Sequence, residues 1–353
     1  LAEELDQRMS QADTPEARRD ALNAFKDREM FRIDMRHILG KIAEFSDFSA
    51  ELTDLAEVVV AAAVRLATEE LNVTHGAPRL EDGSPCLVSV CALGKFGGRE
   101  LGFASDIELM FVYSAEGKTS GPQPISGAEY FAKLVEGSWQ AIRAHREGIF
   151  TIDLRLRPYG RGGSLAVSQE AFRNYFGLDG PAWPYERQAL VKLRPVAGDA
   201  AFGDQLVRLR DELIYTGEKF DVAAMRGMRE RQLRQLVTPG TINAKLSLGG
   251  LVDVEYLVQG LQITHGKNLP ELHETNTLAA LSALKRCDIL TAADTVSLCE
   301  AYNFHRRLIG ALRIVRGNAK DLTIPRPDSE EFAFLARRLA YKNEVPRLQA
   351  DIA

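Results

Sequence analysis

Asp106 and Glu108 are separated by one apolar residue, Ile107, at the start of a run that reads as a strand. On a strand, residues i and i+2 project from the same face. Two carboxylates so placed can share divalent cations, and hard cations such as Mg²⁺ take oxygen ligands and bridge to substrate phosphates. A third carboxylate, Asp153, sits between Ile152 and Leu154, where a charge is costly unless paired or bound to metal. Gly97-Gly98 lies just upstream of the acidic pair. With no side chains, its backbone N–H groups can come close to a phosphate chain. Basic residues follow. Arg155 and Arg157 alternate along the Asp153 segment and are expected on its face, with Arg187, Lys192 and Arg194 shortly after. Guanidinium groups bind phosphate bidentately. Taken singly, each feature has an ordinary reading: a turn, a solvated face, an Asp153 pair with Arg155 or Arg187. In their order along the chain they form the arrangement used for nucleotidyl transfer.

The surrounding pattern supplies the elements to position these groups. Residues 1 to about 78 read as helical, with Thr14-Pro15-Glu16 as a helix start and Leu52 to Leu71 as a buried helix. Pro78 and the run 81–85 mark a loop. The period then changes. Cys86–Leu93 and Ile107–Tyr113 read as buried strands joined by a glycine-rich turn, and Phe150–Leu156 as a third strand. A helix is expected over Ala128–Glu147. From about 201 onward the pattern is helical again, with helices near 201–215, 220–237, 250–265, 274–286, 291–316 and 329–341. The chain therefore divides into an N-terminal helical region (1–80), a small α/β domain (81–200) and a C-terminal helical bundle (201–353). Asp253 and Glu255 open a bundle helix, where acids complement the helix dipole. His145, His265, His273 and His305 show no triad or metal-pair spacing.

Composition narrows the function classes. Of 353 residues, 45% are hydrophobic and 26% charged, the values of an ordinary globular chain. Acids outnumber Lys and Arg 49 to 44, giving a net charge of -5. With no DNA-binding motif, that disfavours a nucleic-acid partner. Four cysteines in so long a chain do not make a disulfide scaffold and read as reduced thiols in a cytoplasmic protein. No stretch is long and apolar enough to read as a membrane span. The chain begins at Leu1 rather than Met, as expected of a processed chain or a piece of a longer one.

The segment Leu93–Leu109, LGKFGGRELGFASDIEL, resembles the signature of the bacterial glutamine synthetase adenylyltransferases, a branch of the polymerase-β-like nucleotidyltransferase superfamily. Ile152–Gly160 (IDLRLRPYG) is similar to the family's third-carboxylate strand. Trp183–Arg194 (WPYERQALVKLR) is similar to its Trp/Glu/Arg helix. Gly249–Gln259 (GGLVDVEYLVQ) is similar to a segment that opens a bundle helix. The resemblance runs from about Phe25 to Arg337. It implies an α+β fold: a polymerase-β-like nucleotidyltransferase domain with a small mixed sheet, plus N-terminal helices and a C-terminal helical bundle.

Carried over residue by residue, the resemblance implies that Asp106, Glu108 and Asp153 bind Mg²⁺ or Mn²⁺. It implies that Gly97 and Gly98 cradle phosphate with help from Ser105. The family most often has Asp where this chain has Glu108, which is one methylene longer but offers the same oxygens. Members typically hold two related halves. One transfers AMP from ATP to a tyrosine of glutamine synthetase, and the other removes it with phosphate to give ADP. One Gly-Gly/Asp-x-Glu set is present here, as expected of one half. Glutamine synthetase is the implied partner, and a PII-type signal protein a further one. The alternative is a catalytically inactive regulatory module that only binds these partners.

Overall fold

The computed structural model describes residues 1–144, 150–317, 320–342 and 344–352. The chain forms two compact units. One is built from Leu1–Leu101, Asp106–His145 and Phe150–Thr216, the other chiefly from Gly217–Ala353 with the short stretch Gly102–Ser105.

The first unit opens with helices α1 (Ala2–Ser10), α2 (Pro15–Ile38) and α3 (Phe45–His75). Thr14 caps α2 by accepting the Ala17 N–H at 3.2 Å, with Pro15 at the first helical position. In α3 the residues Leu52, Leu55, Ala56, Val59, Val60, Ala63, Leu66 and Ala67 recur every three to four positions and are buried. The chain then enters the sheet. It forms β1 (Val88–Ala92), a single helical turn α4 (Gly94–Gly97), β2 (Ile107–Tyr113), α5 (Gly127–Ala141), β3 (Ile152–Asp153), β4 (Ala166–Ser168), α6 (Gln169–Phe176), α7 (Pro184–Ala189), β5 (Arg194–Gly198) and α8 (Ala200–Ile214).

The strand order is β3-β2-β1-β5, with β4 also pairing β2. β1 runs antiparallel to β2 and β5, whereas β3 and β4 run parallel to β2. The sheet is therefore small and mixed, as expected. α3 packs against α5, and α8 packs against β1 and β5. Helices cover the sheet closely, so Val90, Cys91 and Ala92 are all buried and the strand reads as an unbroken apolar run.

The second unit holds α9 (Val222–Leu236), α10 (Leu251–His265), α11 (Thr277–Arg286), α12 (Ala292–Arg316), α13 (Glu330–Arg338) and α14 (Val345–Ile352). Leu251, Val254, Leu308, Leu312, Phe332 and Leu335 belong to one of its cores. Asp253 accepts the Gly249 N–H at 2.9 Å and pairs with Arg229 at 2.7 Å. It thus ties down the start of α10, the structural task its position suggests.

Two expectations need correction. The third strand is not seven residues long; only Ile152 and Asp153 join the sheet. The cause is local. The Arg155 N–H turns back to Asp153 Oδ1 at 2.9 Å, an Asx-type bend that takes the chain off the sheet edge. The glycine-rich turn between β1 and β2 is itself partly helical, forming α4. Helix α5 ends at Ala141, short of the expected Glu147: Ile142 is already extended and residues 142–144 are not helical. The remainder of that expected helix, 145–147 with His145, lies outside the described residues. No helix among the described residues is long and apolar enough to cross a membrane. The cysteines are free thiols. Burial pushes the Cys91 thiol up to about 12.

Candidate active site

β2 is the strand that positions the acids. Its parallel pairing with β3 sets Glu108 opposite Asp153. The bond from Ile107 N–H to the Thr151 carbonyl, 2.8 Å, continues that alignment to the strand's start. Asp106 precedes Glu108 by two residues, so the three carboxylates lie on one side of the two strands. Asp106 is exposed and the other two are half-buried. Glu108 also accepts the Lys95 N–H at 3.1 Å, the first turn of α4. A side chain at Gly94 would stand 1.5 Å from Glu108 Oε2, and the backbone there has φ +50°. Glycine at this position is what lets the carboxylate lie against the helix start.

The Gly-Gly pair is packed from within the protein. The Gly97 N–H donates to the Leu93 carbonyl at 2.8 Å and the Gly98 N–H to the Gly94 carbonyl at 3.1 Å. A Cβ on Gly97 would fall 1.9 Å from the Lys192 carbonyl oxygen. These glycines thus admit a close backbone crossing, and their N–H groups serve the helical turn. Beneath the turn, Lys192 Nζ lies 2.6 Å from Glu100 Oε2, with both side chains almost fully buried. Lys192 is thereby committed to an internal ion pair. Arg194 donates to the carbonyls of Gly97 (3.0 Å) and Phe96 (3.1 Å), a cation at the end of α4, and reaches Glu57 of α3 at 2.7 Å.

The remaining basic residues divide by role. Arg155 grips Asp153 through Nε at 2.9 and 2.8 Å and Nη2 at 2.5 Å. Burial pushes the Asp153 carboxyl up, but hydrogen bonds from the Arg155 guanidinium and backbone N–H outweigh that and hold it below the usual carboxylate range. The charged form of Arg155 is favoured first by Asp153 and further by Asp106 and Glu108. One guanidinium thus feels all three acids. Arg157 is buried and donates to the carbonyls of Leu154 and Gly163. Arg187 donates to the Leu178 carbonyl at 3.0 Å. Ser105 Oγ accepts the Gly102 N–H at 2.9 Å, within the loop that leads to Asp106.

The donor set has the chemistry a hard divalent cation takes, three carboxylates on one face. As the side chains stand, no three His, Cys, Asp or Glu among the described residues are gathered closely enough to hold an ion. The reason for Asp153 is visible: Arg155 is seated on it. A cation held by all three acids requires that guanidinium to leave.

Arg157 carries a prediction of its own. Removing its guanidinium leaves two carbonyls of a tight turn without their donor. Arg157→Ala is therefore expected to lower stability by about 1–3 kcal/mol, the cost of unsatisfied buried polar groups. A melting temperature unchanged from the parent would show that the guanidinium does not hold this turn.

Beside the acids lies a cavity of about 180 Å³ lined by Leu93, Leu156, Phe176, Leu190, Ala189 and Tyr185, with Arg155, Arg157 and Glu186 also contributing. Sequence reasoning placed the two arginines here but missed Tyr185 and Glu186 as wall residues. Glu186 is held from two sides, accepting the Tyr175 hydroxyl at 3.0 Å and the Trp183 N–H at 2.8 Å.

Comparison with known proteins adds a separate line of evidence. Residues 1–209 match the family described as glutamate-ammonia ligase adenylyltransferase. Residues 222–351 match the GlnD PII-uridylyltransferase family. Similar curated proteins carry the name bifunctional glutamine synthetase adenylyltransferase/adenylyl-removing enzyme. The one from Bordetella pertussis is 34% identical over 346 residues, covering 92% of this chain and 36% of its own length. That from Thioalkalivibrio sulfidiphilus is 33% identical over 316 residues, covering 88% and 32%. That from Xanthomonas campestris pv. campestris is 32% identical over 307 residues, covering 85% and 32%. The chain thus spans about a third of the length of these relatives.

Proposed function

The chain belongs to the glutamate-ammonia ligase adenylyltransferase family, and from that premise we propose that it is one nucleotidyltransferase half of such an enzyme, with a polymerase-β-like catalytic domain. The observation that carries the reading is the register of β2 on β3, which sets Glu108 beside Asp153 with Asp106 two residues away. In the forward direction a tyrosine oxygen of glutamine synthetase attacks the α-phosphorus of ATP, and the bond to the bridging oxygen breaks to release pyrophosphate. In the reverse sense inorganic phosphate attacks the AMP–tyrosine linkage, giving ADP and free tyrosine. Both directions use the same acids.

Asp106, Glu108 and Asp153 would hold Mg²⁺ or Mn²⁺, which supplies neutralisation of the phosphate chain and stabilisation of the leaving oxygen. Arg155 has a 63% exposed side chain. Once off Asp153 it can turn to the phosphates and offer them its planar fork. Gly97, Gly98, Arg157, Arg187 and Lys192 then act behind the site, keeping the turn and the cavity wall in place. Ser105 acts through its hold on the loop before Asp106. The match of residues 222–351 to a PII-uridylyltransferase family supports a PII-type signal protein as a regulatory partner of the second unit. A cytoplasmic setting goes with these partners.

The test is direct. The chain is incubated with unmodified glutamine synthetase and ATP in one arm, and with adenylylated glutamine synthetase and phosphate in the other. Metal-dependent AMP-protein and pyrophosphate in the first arm, or ADP in the second, is the expected result. A folded chain that binds glutamine synthetase but turns over in neither arm would instead be a regulatory module.

A further inference from the structure

The cavity next to the acids is lined by Tyr185, Glu186 and Arg155 together with apolar side chains. At about 180 Å³ it has room for on the order of ten water molecules, each of which needs about 10–15 Å³ of such space. It is smaller than the roughly 300–1,000 Å³ of pockets that enclose a whole drug-sized ligand. It therefore suits one ring system of a larger molecule whose remainder lies outside. Its walls are mostly apolar, broken by Arg155, Arg157 and Glu186: Leu93 and Leu190 are fully buried, Phe176 nearly so, and Tyr185 stands at 39% exposure. Arg155 lines the cavity and also grips Asp153, so the opening and the acids share a side chain.

We propose that this cavity receives the nucleobase of the nucleotide, with Tyr185 against its face and Glu186 as the acceptor for its amino group. The proposal rests on the nucleotidyltransferase reading. Glu186 decides between the two rings that meet at such a site. A carboxylate has about four lone-pair positions, and Tyr175 and Trp183 engage one on each oxygen. Glu186 retains acceptor capacity beside an apolar wall, which calls for a donor on the edge of a flat ring. A purine amino group is such a donor. A tyrosine ring presents only C–H at its edge, and its hydroxyl must face the acids to react.

The experiment measures binding, not turnover. Adenosine, ATP and inorganic tripolyphosphate are titrated calorimetrically, with Mg²⁺, into the parent chain, Ala189→Phe and Tyr185→Ala. Ala189→Phe fills the cavity. It is expected to weaken adenosine and ATP by more than about 10-fold, as a blocked pocket does, while tripolyphosphate binds as before. Tyr185→Ala, at a partly exposed position that folding tolerates, is expected to weaken adenosine on the order of 10-fold, the scale of one lost stacking face. If both variants bind adenosine and ATP as the parent does, the base lies elsewhere and the proposal falls while the nucleotidyltransferase reading stands. If N-acetyltyrosinamide, and not adenosine, loses binding in Ala189→Phe, the cavity takes the acceptor ring and the proposal is wrong. If the parent binds neither ATP nor tripolyphosphate, the underlying reading fails with it.

Discussion

Asp106→Asn is expected to lower nucleotidyl transfer or removal by on the order of 10³-fold, the upper range for loss of one charge-stabilising group in an active site. The side chain keeps its size and can still accept a hydrogen bond, so what disappears is one negative charge from a face that carries three. Stability should barely change. Asp106 is exposed, and surface substitutions away from special features stay within about 0.5 kcal/mol. Relief of repulsion from Glu108 acts in the stabilising direction. Asp106 is a cleaner probe than Glu108, whose carboxylate also holds the start of α4 through Lys95. The comparison is turnover against melting temperature in the same preparation. Near-normal turnover with Mg²⁺ would remove Asp106 from the metal set.

Breaking the Glu100–Lys192 pair is expected to have the largest effect on folding. Lys192→Met leaves the Glu100 carboxylate buried without that cation, and Glu100→Gln does the converse. Each single change should cost about 3–5 kcal/mol, as removal of one partner of a buried ion pair does. The double variant should recover part of that, because both members of the buried pair are then neutral, although Lys95, 3.4 Å from Glu100, loses its carboxylate. Urea unfolding of the four proteins gives the coupling directly. The same series separates this role from phosphate binding. A Lys192→Met protein with parental stability and weakened ATP binding would return Lys192 to the nucleotide and refute the structural assignment.

How far the sequence reaches can be judged on these residues. The buried runs of β1 and β2 and the capped start of α2 were readable because their signals are local: β-branched periodicity, a Thr-Pro pair, an acid two residues from another acid. The helices α8 to α13 were readable for the same reason. The short β4 and β5 were not, since three to five residues such as Ala166–Ser168 carry too little pattern to stand out. The strand face expected for the two arginines was misjudged. Alternation predicted that Arg155 and Arg157 share a strand face, but Asp153 bends the chain through its own side chain and the strand ends there. Whether a cation serves a ligand or the fold depends on what lies across from it in space. Glu100 opposite Lys192 is 92 residues away along the chain. One signal was present: Glu100 is a charge set in a glycine-rich, apolar loop, where a buried partner is the ordinary requirement.

Glu57 has a bearing on where this molecule can be shortened. It sits in α3, yet it pairs with both Arg99 and Arg194, and those arginines flank the end of the helical turn that carries the Gly-Gly pair. Asp54, one turn earlier, adds a second hold on Arg99 at 2.5 Å. A piece begun after residue 80 would keep every acid of the site. It would also strip α3 from its packing with α5 and leave Arg99 and Arg194 without the carboxylates that steady them. The opening helices are in that sense the back wall of the unit that carries the acids, and a fragment meant to keep that arrangement has to begin ahead of them.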